Sequence, residues 1–210
     1  MATRAVNVGM AVVVGALLVG VGVAAGRRTA EGPRKVASRS PATTATTSAA
    51  TMAPAPLVEF RDDRAGWSIS YPKVWSRLAP KEADVALVVA EQPLPGANSG
   101  GSILARTVTL AAAVDESNLA AAREITDSLV QGEGIQLLDG PRAIRQAGLP
   151  GYFYFYSFKD PATGQAGVHT HYFLFKGTTM ISFVFQALPE ESFPGLAGLF
   201  DEVLGSFRVR

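Results

Sequence analysis

GYFYFYSF, residues 151–158, sets five aromatic side chains in an unbroken row. Side chains of a strand alternate between its two faces, so Tyr152, Tyr154 and Tyr156 share one face and Phe153 and Phe155 the other. Either this strand is central in a sheet covered on both sides, and apolar on both for that reason, or one of its faces lines a pocket. Buried phenols still require hydrogen-bond partners. That requirement makes the Tyr face, with Tyr152, Tyr154 and Tyr156, the candidate binding surface, and leaves the Phe face as core.

The flanking sequence supplies the rest of a sheet. In WSISY, residues 67–71, Trp67, Ile69 and Tyr71 alternate with Ser68 and Ser70, and Pro72 stops the strand. DVALVVAEQ (84–92) and SILARTVTL (102–110) read as a hairpin across the loop PLPGANSGG (93–101). Asp115 is placed to cap a helix running to about Gly132, with Leu119, Ala122, Ile125, Thr126, Leu129 and Val130 at helical spacing. A polar strand, 135–145, leads into the aromatic one. VHTHYFLF and TMISFVFQAL then pair across a short turn at KGT. Beyond Pro189, Phe193, Leu196, Leu199, Phe200, Val203 and Leu204 form a second helical stripe, and Gly205 stands where a left-handed C-cap belongs. Strands clustered between two amphipathic helices predict an α+β domain over 57–210: an antiparallel sheet with a helix on each face, an αβα sandwich.

The amino end has a different character. Between Arg4 and Arg27 lie 22 uncharged residues, Ala5 to Gly26. As a helix they would extend roughly 33 Å, enough to cross a hydrocarbon core of about 30 Å. Residues 1–26 therefore read as a transmembrane helix or signal anchor, with a cleaved signal ending near Val23 and Ala25 as the alternative. Residues 27–56 are basic and then rich in Pro, Ala, Thr and Ser, a disordered linker that lacks the periodicity to fold. Arg27, Arg28, Arg34, Lys35 and Arg39 follow the apolar segment, while Arg4 alone precedes it; counted by charge, the domain stays in the cytoplasm, and the linker composition argues for the outside.

Composition removes several kinds of chemistry. The chain has 210 residues, a formal net charge of +1 and no cysteine, which excludes disulfides, thiol catalysis and a lipidated cysteine. Residues 57–210 hold 13 Lys and Arg against 17 Asp and Glu, an acidic body with no basic stripe for nucleic acid. His169 and His171, the only histidines, point to one side of a strand and could share a metal ion, but nothing in the spacing nominates further ligands; they read as polar residues near Ser182 and Gln186. Ser99 lacks the spacing of a nucleophile elbow, and no helix follows its glycines to cradle a phosphate. The adjacent carboxylates Asp62 and Asp63, and Glu190 and Glu191, point apart on extended chain and are not set as acid/base couples. No metal, cofactor or catalytic set is expected.

FRDDRAGWSISYPKVW, residues 60–75, resembles the opening of PsbP-like domains, in which a Phe, a short strand and a Pro-x-x-Trp turn begin the fold; here the matching residues are Phe60, Trp67, Tyr71, Pro72 and Trp75. GTTMISFVFQALPEESFPGLAGLFDEVLGSFRV, residues 177–209, is similar to the closing hairpin, helix and short strand of the same family. The stalked arrangement is similar to LpqN-type envelope lipoproteins of actinobacteria. The resemblance implies an antiparallel sheet between helices, a non-enzymatic binding or assembly role, and a place outside the cytoplasmic membrane. It also implies that Phe60, Trp67, Tyr71, Pro72 and Trp75 are structural. The family's lipoprotein cysteine is missing, which leaves residues 5–26 as the membrane attachment. The expected partner is an envelope protein or lipid, met by the Tyr face or by the 93–101 loop with Asn98; the alternatives are a His169/His171-dependent accessory protein or enzyme, and a cytoplasm-facing interaction domain.

Overall fold

The computed structural model describes residues 56–91, 100–161 and 163–210. The apolar segment 5–26, the linker up to Ala55, Asn98 and Ser99 lie outside the described residues. The domain begins with β1 (Leu57–Asp62) and β2 (Trp67–Pro72), followed by β3 (Ser76–Arg77), β4 (Val85–Ala90) and β5 (Gly100–Val114). Helix α1 (Leu119–Leu129), β6 (Gln136–Gln146), β7 (Leu149–Lys159) and β8 (Ala166–Leu188) come next. A single 3-10 turn (Glu190–Ser192) leads into α2 (Phe193–Gly205), and β9 (Arg208–Val209) closes the chain.

The larger sheet has the order β3-β4-β5-β8-β7-β6, and every pairing in it is antiparallel. β8 does the work of two strands. Residues 166–174 pair with β7 and residues 179–188 with β5. Between them Gly177 takes φ +58°, the left-handed region that a two-residue hairpin turn needs. The two arms lie side by side, with His169 Nε2 2.9 Å from Gln186 Oε1 across them. The aromatic strand β7 is thereby internal, flanked by β6 and the first arm of β8, as its two apolar faces require.

Each face of this sheet has its own core. The Tyr face packs Tyr152, Tyr154, Tyr156, Phe173, Phe175 and Met180 against Ala122 and Val130 of the α1 segment. The Phe face is larger, with Ile103, Leu174, Phe183 and Phe185 against Phe200, Val203 and Leu204 of α2. A helix on each face is as expected, but α2 does not cover the Phe face alone. β1, β2 and β9 form a separate three-stranded sheet that shares it. Trp67 of β2 is fully buried there, edge-on to Phe183 at 5.5 Å, and its Nε1 donates to Thr107 Oγ1 at 3.2 Å. Ser68, on the other face of β2 from Trp67 and Ile69, is buried as well.

Two helix termini differ from the sequence reading. Asp115 does not cap α1: its carboxylate accepts from Ser117 N and Oγ, and Asn118 Oδ1 accepts from Asp115 N, so a side-chain-closed turn occupies 115–118 and the helix starts at Leu119. Gly205 remains helical. Ser206 takes over the exit, with its Oγ donating to Val203 O and accepting from Ser70 N at 2.8 Å, which ties the helix end to β2.

The residues of the 60–75 stretch make these contacts within that packing. Trp75 N donates to Pro72 O at 3.0 Å to close the turn. The Trp75 ring lies edge-on to Phe200 and so close to Gly101 that a Cβ there would meet Cη2 at 2.7 Å. Phe60 packs on Trp67 at 5.5 Å beneath the Arg77 guanidinium, and Tyr71 lies at the edge of the same core.

Candidate functional site

The alternation of β7 brings all three candidate tyrosines onto the face under α1, and all three are buried. Each hydroxyl finds the partner that burial demands. Tyr152 donates to Leu119 O at 3.1 Å. Tyr154 donates to Asp127 Oδ1 at 2.7 Å and lies 2.6 Å from Thr126 Oγ1. These contacts bolt α1 to the sheet at both ends of the helix. The Tyr156 hydroxyl lies between His169 Nδ1 at 3.2 Å and His171 Nδ1 at 3.3 Å. Burial pushes the phenols of Tyr154 and Tyr156 well above their usual range, so both stay neutral and can donate.

The two histidines continue this polar seam. They stand opposite Tyr154 and Tyr156 in the register of β7 and β8, which is why residues 169 and 171 converge on one hydroxyl. Burial lowers His169 to about 4, against a smaller opposing effect of its bond to Gln186. Burial also holds His171 well below the ordinary imidazole range, with His169 and the Arg106 guanidinium adding to the effect. Both rings are neutral. With Gln186 Oε1 as acceptor, His169 carries its proton on Nε2 and its Nδ1 accepts from the Tyr156 hydroxyl. The phenol oxygen then accepts from Nδ1–H of His171, and Nε2 of His171 is left as a buried nitrogen without a partner. Thr170 Oγ1 is similarly unpartnered on the opposite face.

The chain of groups Gln186, His169, Tyr156 and His171 is a structural network with one unfilled position. Among the described residues there is no group of three or more His, Asp or Glu arranged to hold a metal ion. Ser182 is buried on the same face as Arg106, which is held by Glu82 at 2.5 Å and Asp84 at 3.1 Å. Thr126 and Asp127 were the members of the site that motif reading missed. Their signal was present: Thr126 is a polar residue within the apolar stripe of α1, and such a residue needs a polar partner across the interface.

A second concavity, an open groove of about 560 Å³, lies at one end of the sheet. The 115–117 turn, the β6–β7 turn at Gly148 and the β8 turn at Gly177 line it over a floor that includes Leu149 and Phe175. Its cations are engaged: Arg145 pairs with Glu116, and Lys176 Nζ donates to the carbonyls of Ala65, Gly66 and Arg210 at 3.0–3.3 Å. No helix among the described residues is long and apolar enough to cross a membrane.

No protein-family model matches the sequence, and no curated protein does. Solved structures do match. The cyanobacterial PsbP from Synechocystis is 18% identical over 79% of this chain and 99% of its own, with a TM-score of 0.48. LpqN of Mycobacterium tuberculosis, whose structure is described as that of a protein involved in cell envelope biogenesis, is 12% identical over 76% of this chain and 87% of its own, with a TM-score of 0.51. At such identities the likeness concerns the path of the chain. The described domain therefore shares its fold with LpqN.

Proposed function

We propose that the protein is a non-enzymatic binding or assembly module of the cell envelope, attached through residues 5–26 and carried outside the cytoplasmic membrane on the 27–56 linker. The observation that carries this reading is the fold shared with LpqN, a protein involved in cell envelope biogenesis. The internal chemistry supports it: Tyr152, Tyr154, Tyr156 and His169 bond to one another's strands and to α1. The 22 uncharged residues and the Thr- and Pro-rich linker support the attachment. The partner is an envelope protein or lipid.

Five basic residues after the apolar segment, against one before it, favour the opposite orientation. Orientation is therefore the point to test. The chain lacks cysteine, so Ser48→Cys places a single thiol in the linker. Labelling by a membrane-impermeant maleimide in intact cells is the expected result, and photocrosslinking from the domain should then capture envelope components. Protection until lysis would put the domain in the cytoplasm and overturn the proposal.

A further inference from the structure

Val74 is 70% exposed, the most open of the large hydrophobic residues among the described ones, and Val58 is 39% exposed. Both lie where the chain enters the domain. Val58 pairs with Tyr71, Leu57 pairs with Pro72, and Lys73 N donates to Pro56 O at 2.8 Å. Pro72 and Trp75 are buried and close the turn between them, which leaves Lys73 and Val74 as its exposed tip. Turn tips favour Gly, Asn, Asp or Ser, which supply a backbone conformation or a local hydrogen bond. A β-branched apolar side chain supplies neither, so the turn itself does not call for Val74. The charge beside the tip is positive. Lys73 is exposed, the Arg77 guanidinium lies 4.9 Å from the Phe60 ring centroid, and neither has a carboxylate partner among the described residues. Glu59, next to Val58, pairs with Arg61 and Arg210.

We infer that Val74 and Val58, with Lys73 and Arg77, form a contact for the anionic headgroup surface of the bilayer that holds residues 5–26; the inference rests on the attachment proposed above. The place where the chain leaves the domain selects a bilayer over other partners. Residues 27–56 reach at most roughly 100 Å, and their last member, Pro56, is bonded to Lys73 itself. The tether therefore delivers this turn to the lipid surface at a high effective concentration. Its own charge adds to the attraction: Arg27, Arg28, Arg34, Lys35 and Arg39 stand against Glu31 alone. An apolar side chain flanked by cations suits an interface, since the valine enters the headgroup layer while ammonium and guanidinium stay with the phosphates. Two valines and two cations make a weak contact, one that works because the attachment has already brought the surfaces together.

Because the chain lacks cysteine, one introduced thiol reports on one position. Full-length Val74→Cys carrying an environment-sensitive fluorophore is reconstituted into vesicles of phosphatidylcholine with about one-quarter phosphatidylglycerol, and a nitroxide-labelled lipid serves as quencher. Quenching at position 74 should exceed, several-fold, that at Thr178→Cys, an exposed control on the β8 turn at the other end of the sheet. It should fall in pure phosphatidylcholine, in about 1 M salt and in a Lys73→Glu chain, and persist in a Lys73→Arg chain. Lys73 is exposed at a turn tip, so these replacements leave the fold intact, as circular dichroism will verify. Vesicle flotation separates the contact from the attachment. Chains that float with neither kind of vesicle overturn both readings, whereas chains that float and are quenched no more at 74 than at 178 overturn the lipid contact alone. A blue shift at 74 without lipid quenching means that a second copy covers the turn, and it overturns the contact as well.

Discussion

Tyr156 serves two imidazoles with one hydroxyl, which can donate once and accept from the other ring. Tyr156→Phe leaves both Nδ1 atoms without that partner in a site closed to water. It should lower stability by about 1–3 kcal/mol, read as a shift in the urea midpoint. The same burial sets a pH dependence. His169 titrates near 4 in the folded chain against about 6.5 when unfolded, and His171 is shifted in the same direction. Between those values the unfolded chain binds more protons, so stability is level above about pH 6.5 and falls as pH drops towards 4. Urea midpoints measured across this range should show the slope, and a His169→Gln, His171→Gln double variant should flatten it. A shared strand face for the two histidines was legible from their i, i+2 spacing. Their common hydroxyl was not, because it depends on the register of β7 against β8, and no local pattern states that register.

At the level of elements, α1 packs its apolar face on the sheet and is tied to it by hydrogen bonds with Tyr152 and Tyr154. Thr126→Val keeps the shape but removes the hydroxyl 2.6 Å from Tyr154; a loss of about 1 kcal/mol is expected. Amide exchange should quicken across 119–129 before the rest of the domain responds. β7 and β8 approach so closely at Gly151 that a Cβ would lie 2.0 Å from the Phe173 carbonyl. Gly151→Ala must push these strands apart and should cost more than about 3 kcal/mol, seen as a large fall in melting temperature. The period of the apolar residues revealed both helices and the long strands. Helix ends are less legible in the sequence, since Asp115 bonds Ser117 instead of capping α1, and Ser206, not Gly205, supplies the exit of α2.

For the whole molecule, the two sheets meet at Trp67, whose ring touches Phe60, Phe183 and Phe207. Trp67→Ala should cost about 3–5 kcal/mol and lower the thermal transition of both sheets together, as one cooperative unit monitored by calorimetry. The antiparallel α+β class followed from the ordering of elements in the chain. The second sheet did not, because β9 has only two residues and its pairing with Ser68 spans most of the domain. The same sheet fixes where the chain enters. Leu57 pairs with Pro72, beside the turn that seats Trp75 on Gly101, whereas β5 runs from Gly101 to Val114, next to Gly177 at the far end. Under the proposed attachment, a tether joined at Leu57 would pull on one end of the sheet, and the groove ringed by the three turns would lie at the end turned away from the membrane.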